Sequence, residues 1–142
     1  MRILMIHVDS FSCTVTSKGR SPIIEEPEAK ELATGESVVV LAAVEKTDEP
    51  QPDRVAANAA QTIADHCAQL KVDSAVVCSF AHLFTELARA EIAVQVLEGV
   101  AQELRERGVR VAKTPFGWFN RFEMKAKGHP LSRVARTVSG GA

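Results

Sequence analysis

Apolar and polar residues follow one another along the chain in patterns that predict six strands and two helices. Apolar side chains that alternate with polar ones, or that form short unbroken runs, are typical of strands. The strands are predicted at residues 2–8, 11–17, 37–45, 72–80, 109–113 and 117–127. Apolar residues that recur every three or four positions predict helices at residues 52–70 and 89–107, and Gly108 ends the second helix.

The segments between these elements add detail to the predicted fold. The strands at 2–8 and 11–17 are close enough in sequence to form a hairpin. Residues 17–36 are rich in proline, glycine and charge, which is typical of a connecting loop and leaves room for one short helical turn. The strands at 37–45 and 72–80 are continuously apolar, so we expect them to be covered on both faces.

Hairpins and helical crossovers both occur in this order of elements. The combination favours an α/β fold of the α+β type, in which a mixed β-sheet packs with two main helices. With 142 residues, 46% of them apolar, the chain is long enough to bury one continuous core. We expect one domain over residues 1–137, followed at 138–142 by a linker or the end of an expressed fragment.

Composition limits the compartment and the kinds of site. No apolar run approaches the roughly 18 residues that span a bilayer, and the first ten residues lack the features of a signal peptide, so we expect a cytoplasmic protein without membrane contact. The three cysteines form no Cys-x-x-Cys pair and are expected to be reduced and buried. The four histidines lack the spacing of metal ligands, and no Walker, Gly-x-Gly-x-x-Gly or Gly-x-Ser-x-Gly motif is present.

Charge is unevenly distributed. From Arg110 to the end the chain carries seven basic residues and one acidic residue, whereas the remainder carries ten basic and 17 acidic residues. A basic segment of this kind is a candidate footprint for a nucleic-acid backbone, because lysine and arginine release counterions from phosphates. The alternative is that these residues protect an exposed sheet edge from aggregation.

The few aromatic residues of the chain are concentrated in two segments. Four of the seven lie in residues 115–122, and two more, Phe80 and Phe84, flank His82. We expect the two segments to form opposite walls of one pocket. His82 follows directly on a predicted buried strand, where sheets present functional groups, although it could instead cap the next helical segment. Asn120 shares a predicted strand face with Trp118 and Phe122, where its amide needs a ligand or a neighbouring strand end as partner.

Four stretches of the chain carry a resemblance to a known family: "MRILMIHVDS", "AVEK", "SFAHLFTELA" and "LRERGVRVAKTPFGWFNRFEMKAKGHPLSRVART". Together they resemble the N-terminal editing domain of archaeal threonyl-tRNA synthetases, which shares its fold with D-aminoacyl-tRNA deacylases. The resemblance covers essentially the whole chain. It implies hydrolysis of the ester that wrongly joins serine to threonine tRNA. Two alternatives stay open: removal of D-amino acids from tRNA, and a non-catalytic module for tRNA binding or dimerisation.

The resemblance implies part of the predicted site, namely Val44, Glu45, Ala81, His82, Phe119 and Asn120, and the residue pattern of the aromatic segments and of "KGHPLSR" supplies the rest. Ala81, His82 and Asn120 are the expected catalytic positions. The expected substrate-binding residues are Val44, Glu45, Phe80, Pro115, Phe116, Gly117, Phe119 and Arg133. The chain departs from the family pattern at three of these positions, because members known to us carry tyrosine at 119, lysine at 120 and glutamate at 133. We therefore hypothesise that backbone N–H groups near Ala81 and Asn120 position a water, with help from the terminal ribose 2′-OH.

Partners follow from the same resemblance. We expect the acceptor end of threonine tRNA carrying serine, a second copy of the chain in a homodimer, and aminoacylation domains either in the same chain or acting separately. No cofactor is expected for editing. His129 is expected in a structural turn, and the segment around it, "KGHPLSR", predicts a turn followed by the start of a short helix.

Overall fold

A computed structural model describes residues 1–83 and 86–141. Over these residues the chain forms seven strands and two α-helices, with short 3-10 turns at Lys46–Asp48 and Ala81–Leu83. The strands are β1 (Arg2–Lys18), β2 (Glu31–Thr34), β3 (Ser37–Ala43), β4 (Ser74–Ser79), β5 (Arg110–Lys113), β6 (Trp118–Ala126) and β7 (Arg133–Thr137). The helices are α1 (Pro52–Leu70) and α2 (Ala90–Glu106), close to their predicted bounds.

Strand β1 organises a mixed sheet. Its first half pairs antiparallel with β3 and β7, and its second half pairs antiparallel with β2 and β6. From β3 the sheet continues through β4 to β5 with parallel pairing, as expected for strands joined by helical crossovers. The predicted mixed sheet is therefore present, and its parallel part carries the continuously apolar strands.

The predicted hairpin between residues 2–8 and 11–17 is wrong, because both segments belong to the single strand β1. A register shift against β6 lies between Val8 and Ser10, and it reverses the alternation of buried positions. Ile6 and Val8 before the shift, and Phe11 and Cys13 after it, all face the same apolar cluster. A bulge thus produces the change of phase that suggested two separate strands.

Two edge strands were not predicted. β2 forms at residues 31–34, where we expected only a loop, and no helical turn forms in residues 19–30. β7 forms where we expected the start of a short helix after the turn at His129. Neither strand has a clear apolar alternation. Both form because the long β1 has backbone N–H and C=O groups at its edges that need hydrogen-bond partners.

The core lies on both faces of the sheet. One cluster packs the helices against the sheet through the apolar stripes of α1 and α2, which include Ile63 and Leu104 as predicted. Gly108 ends α2 with a positive φ of 82°, which confirms the predicted stop. All three cysteines are buried and free, as expected. Within the described residues, neither helix is long and apolar enough to cross a membrane.

A chain of side chains joins β1, next to its bend, to the turn between β6 and β7 and to the turn between β2 and β3. His7 contacts His129 through Nδ1 and Nε2 at 2.9 Å, and His7 Nε2 contacts the Glu36 carboxylate at 2.8 Å. Since Leu131 N–H donates to His129 Nδ1 at 3.2 Å, His129 donates from Nε2 and His7 donates to Glu36. His129 therefore lies in a structural turn, as predicted, and this turn helps to hold the bend.

His66 on α1 is expected to make the free energy of unfolding depend on pH. It is buried, its Nε2 has no hydrogen-bond partner among the described residues, and burial lowers its pKa below the ordinary value of 6.5. The unfolded chain then binds a proton more readily, so the free energy of unfolding decreases as the pH falls through 6.5 towards the lowered pKa. We expect His66→Gln to reduce this decrease in urea unfolding measured at pH 7 and pH 5. An equal decrease in both proteins would contradict the prediction.

Candidate functional site

A cavity of about 330 Å³ opens where the end of β4 meets the start of β6. Its walls come from the 3-10 turn after β4, the turn before β6, and the loop that follows β1. It is lined by eight of the eleven predicted site residues. They are Phe80, Ala81, His82, Pro115, Phe116, Gly117, Phe119 and Asn120. The two aromatic segments therefore meet at one cavity, as the sequence predicted.

The other three predicted residues do not line the cavity. Val44 is buried in the core beneath the helices, where its carbonyl accepts from Ala88 N–H at 3.0 Å. Glu45 directs its Oε1 towards the Met1 ammonium group at 3.3 Å and caps the turn that contains Asp48. Arg133 is exposed on β7, opposite Ile6 of β1. The structure gives Val44 and Glu45 local structural contacts and places Arg133 on the surface.

Strand β6 follows the predicted alternation at its start, whereas Phe122, which was predicted on the same face as Trp118 and Asn120, is 39% exposed. Trp118 and Asn120 are half-buried and line the cavity, whereas the neighbouring Phe119 is 61% exposed at its mouth. The ring of Phe122 also reaches the cavity and packs at 5.8 Å from the ring of Phe11 in the core. Across the cavity, the rings of Phe80 and His82 meet edge to face at 5.8 Å. Phe84, the remaining aromatic of that segment, lies outside the described residues.

Sequence patterns missed the cavity residues that come from the loop after β1. Gly19, Arg20 and Ser21 line the cavity because this loop docks on the turn before β6. The Gly19 N–H donates to the Gly117 carbonyl at 2.7 Å, and a Cβ at Gly19 would lie 2.9 Å from that oxygen. Two glycines about a hundred residues apart are the only signal of this contact, and they cannot be paired by spacing alone.

Cys78 and Thr114 were also missed, and both are buried at the inner end of the cavity. The Thr114 N–H donates to the Val77 carbonyl at 3.0 Å, which attaches the turn to β4. Burial raises the pKa of the Cys78 thiol to about 12. Cys78 is therefore a neutral thiol at physiological pH and is unsuited to act as a nucleophile.

The cavity has aromatic walls and few charged groups. Its described lining residues include no carboxylate; Arg20 carries a positive charge, and His82 contributes an exposed imidazole ring. Within the described part of the chain, no three His, Cys, Asp or Glu side chains are grouped as metal ligands. Such a site suits a small polar group attached to an aromatic or anionic body, which could stack on the rings and approach Arg20.

Comparison with known families identifies sequence relatives over almost the whole chain. A family model described as the archaea-specific editing domain of threonyl-tRNA synthetase matches residues 1–138. The threonine–tRNA ligase of Methanopyrus kandleri is 41% identical over 139 residues, which are 98% of this chain and 22% of that protein. The enzyme of the same name from Thermococcus kodakarensis is 39% identical over 142 residues, or 97% of this chain and 22% of that protein. The chain thus spans about a fifth of these relatives.

A solved structure supports the fold independently. The c-Myc DNA unwinding element binding protein superposes with a TM-score of 0.68, covering 96% of this chain and 98% of that chain at 11% sequence identity. At this identity the likeness concerns the fold alone. It confirms the predicted D-aminoacyl-tRNA deacylase-like fold, with a mixed sheet and two main helices.

Proposed function

The chain belongs to the archaea-specific editing-domain family of threonyl-tRNA synthetase, and we propose that it hydrolyses seryl-tRNA(Thr) and spares threonyl-tRNA(Thr). The match to this family over residues 1–138 carries the proposal. The cavity supports it, because eight of the eleven predicted site residues line one cavity of about 330 Å³, and four of them, Ala81, His82, Phe119 and Asn120, come from the family resemblance. A cavity of this size has room for an amino acid and part of a terminal adenosine.

Size provides the discrimination in this proposal. Serine lacks one methyl group of threonine. An aminoacylation site that binds threonine therefore binds serine less favourably by only about 1–3 kcal/mol. A second cavity that admits serine and clashes with the extra methyl group supplies the missing discrimination. The cavity is suited to this role because backbone turns and the small residues Ala81 and Gly117 form much of its wall.

The proposed chemistry relies on backbone groups and on the tRNA. Asn120 cannot act as a base, Cys78 holds its proton, and no carboxylate is among the described lining residues. Because Ala81 opens a 3-10 turn, its N–H has no carbonyl partner inside that turn, and within the described residues it is available to polarise the ester carbonyl. Water adds to the carbonyl carbon, the bond to the ribose oxygen breaks, and that oxygen receives the proton. The neighbouring ribose hydroxyl assists this transfer.

The basic C-terminal segment is proposed to hold the acceptor end of the tRNA. Arg121, Lys125 and Arg136 are exposed on β6 and β7, and Arg20 lies at the cavity. Phosphates along the acceptor strand would approach these side chains and release counterions. The exposed ring of Phe119 at the mouth is available to stack on the terminal base. We also propose a homodimer, in keeping with the deacylases that share the fold.

Single-turnover deacylation is the direct test of this function. With enzyme in excess, we expect seryl-tRNA(Thr) to lose its amino acid rapidly while threonyl-tRNA(Thr) is lost at close to the uncatalysed rate. D-seryl-tRNA is the matched substrate for the alternative, a D-aminoacyl-tRNA deacylase, which the shared fold favours. Faster loss of the D-seryl ester than of the L-seryl ester would support that alternative. Tight tRNA binding without loss of any ester would refute hydrolysis and leave a binding module.

A further inference from the structure

Glu25, which lies in the loop after β1, makes four hydrogen bonds to residues 113–118, the segment that contains the turn before β6. The Glu25 N–H donates to the Phe116 carbonyl at 2.9 Å, and the Phe116 N–H donates to Glu25 Oε1 at 2.7 Å. Lys113 Nζ donates to the same Oε1 at 2.7 Å. The indole Nε1 of Trp118 donates to the Glu25 carbonyl at 2.7 Å. One residue thus contacts three positions of the segment 113–118.

Residues 19–25, which we call the clamp segment, fit this turn closely. Gly117 has a positive φ of 92°, and a Cβ at this position would lie 2.6 Å from the Ile23 carbonyl oxygen. At the other end of the clamp segment, Gly19 donates its N–H to the Gly117 carbonyl at 2.7 Å. The turn therefore lies between the two ends of the clamp segment, and its backbone has little space in which to move.

The ion pair within this arrangement connects it to α2. The side chain of Lys113 is 13% exposed and also lies 3.3 Å from Glu98 Oε1. Removing the Glu25 carboxylate would leave the Phe116 N–H and one Lys113 donor without their acceptor in a half-buried site. Unmade hydrogen bonds of this kind are costly, so the local structure would rearrange.

The clamped turn is a wall of the cavity, whereas Glu25 is not among its lining residues. Pro115, Phe116, Gly117 and Trp118 all face the cavity. We infer that Glu25 is a positioning residue, which holds the turn before β6 in the geometry that the cavity needs to act on its substrate. This inference rests on the proposed function. A displacement of about 1 Å in a site can lower a rate about 100-fold, so a looser turn would slow the reaction even if binding were retained.

The single tryptophan of the chain reports directly on the clamp. Trp118 donates its indole N–H to the Glu25 carbonyl, so its fluorescence measures the docking of the clamp segment without any substrate. In Glu25→Ala we expect the Trp118 emission to shift to longer wavelength as the indole becomes hydrated. We expect the single-turnover rate constant for seryl-tRNA(Thr) at saturating enzyme to fall about tenfold, while the Kd for the tRNA changes by less than about threefold.

Two further variants separate positioning from unfolding and from charge. Glu25→Gln keeps an oxygen that can accept from Phe116 and Lys113, so it should restore most of the rate and of the emission. Glu26→Gln removes the same charge from the adjacent exposed residue, whose side chain has no hydrogen bond or ion pair within the described chain, and should match the wild type. Far-UV circular dichroism and thermal unfolding identify any variant that has not folded.

The outcomes separate this inference from the proposed function. Unchanged Trp118 emission in Glu25→Ala would overturn the clamp. If Trp118 emission shifts in Glu25→Ala but this variant deacylates seryl-tRNA(Thr) as fast as the control Glu26→Gln, the positioning role would be overturned. If Glu25→Ala fails to fold, Glu25→Gln decides the matter, because equal rates in wild type and Glu25→Gln support the acceptor role and a tenfold loss contradicts it. A wild-type protein that deacylates neither ester would refute the proposed function, and the emission would still decide the clamp.

Discussion

Ala81→Leu is expected to slow deacylation of seryl-tRNA(Thr) by about 100-fold without unfolding the protein. Ala81 is exposed at the wall of the cavity, at the start of the 3-10 turn that follows β4. Three added carbon atoms would occupy space that the proposed substrate needs. Overpacking costs up to about 3 kcal/mol, which corresponds to about 100-fold in rate. Single-turnover kinetics with enzyme in excess would measure the effect.

The neighbouring variant His82→Ala tests the proposed chemistry in the same turn. His82 also lines the cavity, but in our mechanism the water is held by backbone groups and the proton is transferred with help from the ribose. We therefore expect His82→Ala to lose less than about tenfold in rate. For Ala81→Leu the matched control is Ala68→Leu, which adds the same bulk at an exposed position of α1 away from the cavity. A loss of several orders of magnitude in His82→Ala would establish a side-chain base, and full activity in Ala81→Leu would place the substrate elsewhere.

Gly117→Ala is expected to lower the free energy of unfolding by about 3 kcal/mol, because two unfavourable effects add. The backbone at Gly117 has a φ of 92°, which residues with a Cβ adopt at a cost. In addition, the new Cβ would lie 2.6 Å from the Ile23 carbonyl oxygen, so the clamp segment or the turn would have to shift. Urea unfolding at neutral pH measures the loss, and Trp118 emission should change in the folded state.

Two other glycines allow the two effects to be separated. Gly108 has a similar φ of 82°, but a Cβ there would meet nothing within 4 Å, so Gly108→Ala should cost only about 1 kcal/mol. Gly35 has neither a positive φ nor a close neighbour, so Gly35→Ala should be close to neutral. Equal losses at positions 117 and 108 would show that the docking of the clamp segment contributes nothing to stability.

The local sequence pattern was enough to predict the helices and strands in which buried and exposed side chains follow a regular order. α1 buries one apolar stripe, which includes Val55 and Ile63, and β3 is buried along its whole length. Each pattern is continuous over its segment and can therefore be recognised from the sequence. Edge strands do not have this property. β2 and β7 pair with β1 through backbone groups, and their side chains are mostly half-buried or exposed, so periodicity carried little information about them.

The candidate site shows the same division. Clustering of rings predicted that the segments around Phe80 and Phe119 form one pocket, because aromatic residues in a chain poor in them must pack somewhere. The family resemblance supplied individual positions such as Ala81 and Asn120. It also named Val44 and Glu45, and the structure places those two residues in contacts away from the cavity.

Helices and buried strands were thus encoded in short-range patterns, because burial acts on each residue in turn, and the scarcity of aromatic residues indicated which two segments share a pocket. Only the tertiary structure decided that residues 2–18 form one bent strand and that a loop after it closes the cavity. The contact of Glu25 with Phe116, across 91 positions of the chain, depends on hydrogen bonds of backbone and carboxylate groups. Such bonds form between groups that most loops possess, so they leave no pattern in the sequence until the chain has folded.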